Sequence, residues 1–481
     1  MNRHDLYKAI GEADDELLER SERKKRRKVH KKLWWAAAAA GGLVLAAAAG
    51  IILKNGNPVD QVYAGAIAEA DYPEMAPYPD MTETDINSEE YRQAYDAWRE
   101  DISAQKMQPE GYADGLDAFF SMSIPQFLSG KEGENTACSP INIYLELSML
   151  AELTDGGSRK QILELVGEDS IEALRTQAKA VWNAHYRNDK LTTCILANSL
   201  WMNEDISYNS SVLQRLAEDY YASSYQGIMG SSQLNKILQE WMNDQTGGLL
   251  KKQIEKITLD DDTILALVST IYYQAQWGTK FNEENTQPDT FHAISGDITC
   301  DFMHGDSLET YYRAEKFEAV SWQMDNDGGV MWFLLPEKGV AIEDLLYDAE
   351  TLDFLLNGGD PEKKKEVLLK LSVPKFDIIS ETDLGEGLQN LGVTDIFDGK
   401  KSDFSPLTEQ MEGISVSQVK HDVRVTIDEK GVSAAAYTNI SLDGAACEDP
   451  EEIEMNFNRP FLFAVSGNDG LPLFTGCVNE P

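Results

Sequence analysis

A chain of 481 residues with 42% apolar content can bury a sizeable core, while 82 Asp/Glu against 42 Lys/Arg leave a formal charge of −40. Such acidity argues against nucleic acid and against an anionic membrane surface as binding partners. The charge is uneven: residues 1–56 carry 12 basic and 7 acidic residues, a net of +5, so the rest carries −45.

The basic block Arg23–Lys32 precedes an uncharged run from Leu33 to Leu53, opened by Trp34 and Trp35. Its 21 residues would span about 31 Å as a helix, the thickness of a bilayer's hydrocarbon core. The pattern predicts a cytoplasmic basic segment over 1–32 and a single transmembrane helix over 33–53, with the tryptophans at the interface and everything beyond outside the cell. A cleaved secretory signal with a long basic head is the competing reading, and would make the chain secreted.

Residues 54–110 read as an acidic, proline-containing stalk, with Pro58, Pro73, Pro77 and Pro79. As a flexible tether it would reach about 40 Å. One helix is predicted, around Ser88 to Asp101. Its Tyr91, Tyr95 and Trp98 fall on one face, so it could instead dock on the domain that follows.

The globular part is expected over 111–481. Phe119–Leu128 has helical spacing. Ser139 and Pro140 then form a good N-cap and first-turn pair for a helix through Leu153. After the turn Asp155-Gly156-Gly157-Ser158, a helix is predicted over Arg159–Leu165. Near the C-terminus Val419, His421, Val423, Val425 and Ile427 alternate with polar residues, as in a strand with one buried face. From Val432 the same period-two pattern resumes through Leu442 and runs into Asp443-Gly444-Ala445-Ala446-Cys447-Glu448-Asp449-Pro450. That segment is small, acidic and turn-rich, the composition of an exposed loop tip open to proteolysis.

These residues carry a resemblance. Asp428-Glu429-Lys430-Gly431 with Ala434-Ala435-Ala436, then Phe457-Asn458-Arg459-Pro460-Phe461 and Pro472-Leu473-Phe474-Thr475-Gly476, look like the hinge, reactive-centre loop and C-terminal strands of a serpin. Asn135, Ser139-Pro140 and Gln161-Ile162 also match the family in its order. So do Ala197-Asn198-Ser199-Leu200-Trp201, Trp241 with Thr246 and Gly248, Leu267–Tyr273 with Trp277 and Phe281, Pro374-Lys375-Phe376 and Asp403-Phe404-Ser405. The chain departs from the family at Trp322-Gln323-Met324, where Leu-Pro-Tyr is usual. It also has Asn142 and Ser269 where a Ser and an Asn are usual, as if the two had exchanged places.

The resemblance implies an α+β fold: several helices around three mostly antiparallel β-sheets with an exposed reactive-centre loop, here preceded by the transmembrane helix. It implies a bacterial, membrane-anchored or secreted monomer that is no enzyme. Its function would be to trap a serine protease when the cleaved loop inserts into the central sheet. The alternative is a non-inhibitory surface module with a cleavable loop. Glu429, Gly431, Val432, Ala434, Ala435 and Ala436 would form the hinge, Gly431 as the backbone pivot. Ser139, Asn142, Ser269 and His421 would form the shutter beneath the parting strands.

Counting seventeen residues from Glu429 places the reactive bond at Ala445-Ala446. Counting back from Pro460 by the family's spacing ends instead at Asp449. Leu442, Gly444 and Ala445 suit an elastase-like or subtilisin-like protease, and the lack of Lys or Arg between Gly431 and Arg459 argues against a trypsin-like one. An acid-preferring protease cutting after Glu448 or Asp449 and a papain-like cysteine protease stay open. His421 is either a satisfied core histidine or a group whose protonation makes shutter opening pH-dependent. Cys138, Cys194, Cys300 and Cys477 are expected in the core and Cys447 in the loop, a spacing that implies no disulfide framework, metal or cofactor. No catalytic motif such as His-Glu-x-x-His or Gly-x-Ser-x-Gly is present in the sequence.

Overall fold

The computed structural model describes residues 66–79, 85–131, 133–248, 254–409, 413–432 and 450–481. The predicted cytoplasmic and transmembrane segments and most of the reactive-centre loop lie outside the described residues. Among the described residues, no helix is long and apolar enough to cross a membrane.

In chain order the strands and longer helices are β1 (Ala66–Ala68), α1 (Glu89–Lys106), α2 (Leu116–Leu128), β2 (Thr136–Cys138), α3 (Pro140–Leu153), α4 (Gly156–Val166), α5 (Ile171–His185), β3 (Arg187–Asn188), β4 (Thr193–Asn203), α6 (Ser210–Asp219), β5 (Ala222–Gly227), α7 (Ser232–Gln245), β6 (Leu265–Gln276), β7 (Gln287–Ala293), β8 (Gly296–Arg313), β9 (Phe317–Gln323) and β10 (Val330–Pro336). They continue with α8 (Ile342–Leu346), α9 (Ala349–Asn357), β11 (Lys364–Pro374), β12 (Phe376–Asp383), α10 (Gly385–Asn390), β13 (Gln418–Ile427), β14 (Gly431–Val432), β15 (Glu452–Asn456), β16 (Phe461–Ser466) and β17 (Pro472–Val478).

The first sheet runs β1-β5-β4-β6-β14-β13-β12, with β3 on β4; the second runs β15-β11-β8-β9-β10-β16-β17-β2, with β7 on β8. Three sheets were expected, but the described strands form two. The cause is β8, an 18-residue strand that pairs with β7 at its start, with β11 from Phe302 to Tyr312 and with β9 at its end, so that no break divides the second sheet. Most pairings are antiparallel; β4–β5, β6–β13 and β11–β15 are parallel.

Local chemistry explains the helix ends. Ser139 Oγ accepts from the Asn142 N–H with Pro140 in the first turn, and Ser88, Ser170 and Ser231 cap α1, α5 and α7 in the same way. Every residue of α3 is buried, so this helix has no solvent face; it packs between β6 of the first sheet and β17 of the second. Three of the cysteines expected in the core, Cys138, Cys194 and Cys477, are buried there, but Cys300 is only half-buried.

The stalk reading gives way to the docked alternative from residue 66 onward. β1 adds to the edge of the first sheet beside β5. Helix α1 buries Trp98 and Ile102 against Leu191, with Met75, Tyr78 and Tyr95 around them. The Trp98 indole N–H donates to Asp189 at 2.8 Å, and the fully buried Asp189 is also paired with Arg187. Tyr72 packs 5.4 Å from Trp182. Apolar burial and a satisfied buried carboxylate thus hold residues that composition alone assigns to a tether. The body begins well before residue 111.

Candidate functional site: a hinge, a slot and a shutter

The hinge begins as a tight turn. Asp428 Oδ1 accepts from the N–H groups of Lys430 and Gly431 at 2.8 and 3.2 Å, and the Asp428 N–H donates to Gly431 O at 3.1 Å. Its outer side is fastened to the segment after β6. The Trp277 N–H donates to Lys430 O at 3.0 Å, its indole to Asp428 O at 2.7 Å, and the Phe281 N–H to Glu429 O at 3.1 Å. Glu429 lies in a pocket between Lys375 Nζ at 2.9 Å and Thr286 Oγ1 at 2.8 Å. Burial alone would raise its pKa; the bonds from Lys375 and Thr286 outweigh it and hold the carboxyl below its ordinary value. Behind these residues Trp322 stacks on Phe281 with centroids 4.6 Å apart and donates to Thr279 O. Where the family usually has Leu-Pro-Tyr, this chain thus fills the corner behind the turn with an aromatic pair.

From this turn the chain enters the first sheet. Gly431 and Val432 pair with Gln276 and Ala275 of β6, and Val432 also pairs with Ile427 of β13. Val432 is 2% exposed. The residue expected to enter the sheet first is already inside. Gly431 serves by close approach rather than by an unusual φ: a Cβ there would lie 2.1 Å from Ala275 O. Beyond β14, β6 and β13 do not pair with each other until Thr270 and Asp422. From there a parallel ladder of five residue pairs closes the slot, down to Ala266 and Gln418. Ala434, Ala435 and Ala436 of the hinge and the predicted bond Ala445-Ala446 lie outside the described residues, as does Cys447.

Beneath the ladder is the shutter. Asn198, Ser269, His421 and Thr382 stand in one row across β4, β6, β13 and β12. The Ser139 N–H donates to His421 Nε2 at 3.0 Å, and His421 Nδ1 lies 3.5 Å from Ser269 Oγ. An imidazole accepting at Nε2 carries its proton on Nδ1 and is neutral. Burial pushes its pKa down to about 3. Burial and the Ser139 N–H at Nε2 both favour the neutral imidazole, which argues against protonation as the trigger and for a satisfied core histidine.

The structure brings Ser139, Ser269 and His421 together, but Asn142 does not join them. Its side-chain amide is buried and makes no hydrogen bond among the described residues, as is also true of Asn198. Ser269 Oγ donates instead to Glu146 Oε2 at 3.1 Å. Glu146 is 1% exposed, and burial, with Asp422 and Asp383 adding repulsion against the help of Ser269, pushes its pKa up to about 8. Sequence reasoning missed this residue. The available signal was a carboxylate four residues after Asn142 and seven after Ser139, on the same side of a largely apolar helix.

A two-residue strand thus stands between β6 and β13, at the open end of the gap that their parallel ladder closes. A sequence model of the serpin (serine protease inhibitor) family matches residues 116–481. The chain belongs to the serpin family, whose members are in general inhibitors of serine proteases rather than enzymes. It is 27% identical over 369 residues to Serpin-ZX of Arabidopsis thaliana, covering 73% of this chain and 93% of that one. It is 28% identical over 373 residues to plasminogen activator inhibitor 1 of Neovison vison, covering 74% and 90%. The solved structure of the thermophilic serpin tengpin in its native state superposes with a TM-score of 0.69 at 25% identity, over 78% of this chain and 95% of that one.

Proposed function

We propose that this chain is an extracellular suicide-substrate inhibitor, which presents residues 433–449 as bait and traps a serine protease at the acyl stage. The observation that carries this reading is β14: the hinge has begun insertion with an apolar residue, and the residues next in line, Ser433 and Ala434-Ala435-Ala436, are small enough to pass between packed strands. After cleavage at Ala445-Ala446 the loop 432–445 follows as a full central strand. Five further inward residues (Ala434, Ala436, Thr438, Ile440 and Leu442) at about 1–2 kcal/mol each and a dozen ladder bonds at about 1 kcal/mol net give a driving force on the order of 20 kcal/mol. The new strand, residues 433–445, would carry the tethered enzyme about 43 Å. The small residues before the bond suit an elastase-like or subtilisin-like protease. The inhibitor is anchored by residues 33–53, with the serpin domain outside, and is secreted where that segment is cleaved.

The test mixes the purified chain with pancreatic elastase and, separately, subtilisin, followed by denaturing gels and mass spectrometry. The expected result is an SDS-stable adduct and a released fragment beginning at Ala446. Quantitative loop cleavage with both proteases left active refutes trapping of these targets and favours the non-inhibitory reading.

A further inference from the structure

Away from the slot, a cavity of about 640 Å3 lies among the end of α2, the segment joining β10 to α8, and the link between β15 and β16. Leu128, Ile294, Pro336, Val340, Ile342 and Pro460 give it apolar walls. Ile294 is 60% exposed at its rim. The size and lining are those of a small-molecule site, for which about 300–1,000 Å3 of largely apolar pocket with a few polar groups is usual.

The polar groups are unequally spent. Arg459 donates from Nη2 to Pro336 O at 2.7 Å, its one hydrogen bond among the described residues. A guanidinium offers five N–H donors in a planar fork, and this one is half-buried, its pKa lowered by burial against the pull of Glu337 and Glu318. Lys131 and Lys338 line the same cavity, and neither they nor Arg459 forms an ion pair among the described residues. Of the carboxylates, Glu337 is engaged by Arg313 at 3.2 Å, Glu343 accepts the Gly130 N–H at 2.8 Å, and Glu134 stands at the exposed mouth. In a chain of net charge −40, the cavity is lined by three basic and three acidic residues, and its half-buried guanidinium makes one hydrogen bond among the described residues.

We propose that the cavity binds an amphipathic monocarboxylate: a small acid with an alkyl or aryl-alkyl tail, its carboxylate on the free edge of the Arg459 guanidinium and its tail against Leu128, Val340 and Ile342. The planar fork matches a carboxylate in two parallel hydrogen bonds. The apolar walls exclude an anion that must keep its hydration, such as phosphate. The site is independent of the slot and of whether the loop inserts.

The test is calorimetric titration of the full chain with 4-phenylbutanoate, with 4-phenylbutan-1-ol as the uncharged counterpart. The acid should bind saturably at one site, and the alcohol at least about tenfold more weakly. Arg459→Gln should reduce the difference between the two. Ala341→Trp, placed at the exposed rim, should fill the cavity and abolish binding without changing the thermal melt. This second variant keeps the test decisive if loss of the Arg459 bond to Pro336 impairs folding. Absence of saturable binding, equal binding of acid and alcohol, or binding that survives Ala341→Trp each overturns the proposal.

Discussion

Replacing Val432 by Arg tests whether the seated hinge governs trapping. Val432 is 2% exposed between Ala275 and Ile427. Its burial contributes about 1.5–2 kcal/mol, and the ladder bonds of β14 about 1 kcal/mol each. Holding β14 in place is therefore worth about 4–5 kcal/mol. An arginine there would bring a charge with no carboxylate partner into an apolar slot, at a cost of several kcal/mol. That cost exceeds the gain, so β14 should leave the sheet. If about 3 kcal/mol of this loss appears in the insertion barrier, insertion slows about 100-fold while hydrolysis of the acyl-enzyme is unchanged. Val432→Ala, which gives up two methyl groups and about 1.6 kcal/mol, should slow it about tenfold. The assay is the ratio of SDS-stable adduct to cleaved chain, with adduct yields expected to fall from wild type through Val432→Ala to Val432→Arg. Wild-type adduct yield from Val432→Arg would refute the insertion argument, because no uncompensated guanidinium can enter that position at no cost.

Other substitutions separate the hinge, the shutter and the docked N-terminal segment. Gly431→Ala places a Cβ 2.1 Å from Ala275 O, so hydrogen exchange should rise at 429–432 and 275–277 while the rest of the sheet keeps its protection; unchanged exchange there would mean the close approach is unimportant. Glu146 has a folded pKa of about 8, above its ordinary value near 4.5, so its contribution is fully present below about pH 4.5 and is lost as pH rises toward 8. The loss is on the order of 4 kcal/mol. Glu146→Gln keeps a partner for Ser269, and should match wild type near pH 4 but melt higher at pH 8; parallel melting curves across that range would reject the assignment. Trp98→Ala removes a 3%-exposed indole and its bond to Asp189, a change of about 3–5 kcal/mol where a site cannot collapse. Limited proteolysis should then cut within residues 85–106 while sparing 116–409, and resistance equal to wild type would show that the docked helix is held by other contacts.

Legibility in the sequence followed the range of the interactions. The helix from Ser139-Pro140 was readable because cap, proline and apolar spacing all lie within one turn of each other. The alternation from Val419 to Ile427 foretold a strand with His421 on its buried face. The turn Asp428–Gly431 was readable as a local motif, although its long-range contacts were not. Glu429 needs Lys375 and Thr286 from two distant segments, and Gly431 is required by a carbonyl on β6 rather than by its own backbone angle. The stalk reading failed for residues 66–106 because an aromatic helix face specifies that something apolar should meet it, not what; Asp189, 91 residues from Trp98, decides that. The division into three sheets failed because a strand's ability to serve two sheets at once depends on its length and bend, not on its pattern.

Glu146 shows the same limit most sharply. A carboxylate on a helix reads as a solvent-facing residue, and only the burial of all fourteen residues of α3, with no cation beside Glu146 as Arg175 and Arg215 stand beside Glu152, turns it into a carboxyl that holds its proton at neutral pH. The groups that titrate around the shutter, Glu146 and Asp422, are therefore ones that no motif marks. His421, which the motif does mark, is kept neutral by the backbone N–H that points at its Nε2. A proton can be added there only by breaking that bond. The pH dependence of sheet opening should therefore follow the buried carboxyls, Glu146 with a pKa pushed up to about 8 and Asp422 with one pushed up by burial to about 6, and not the imidazole.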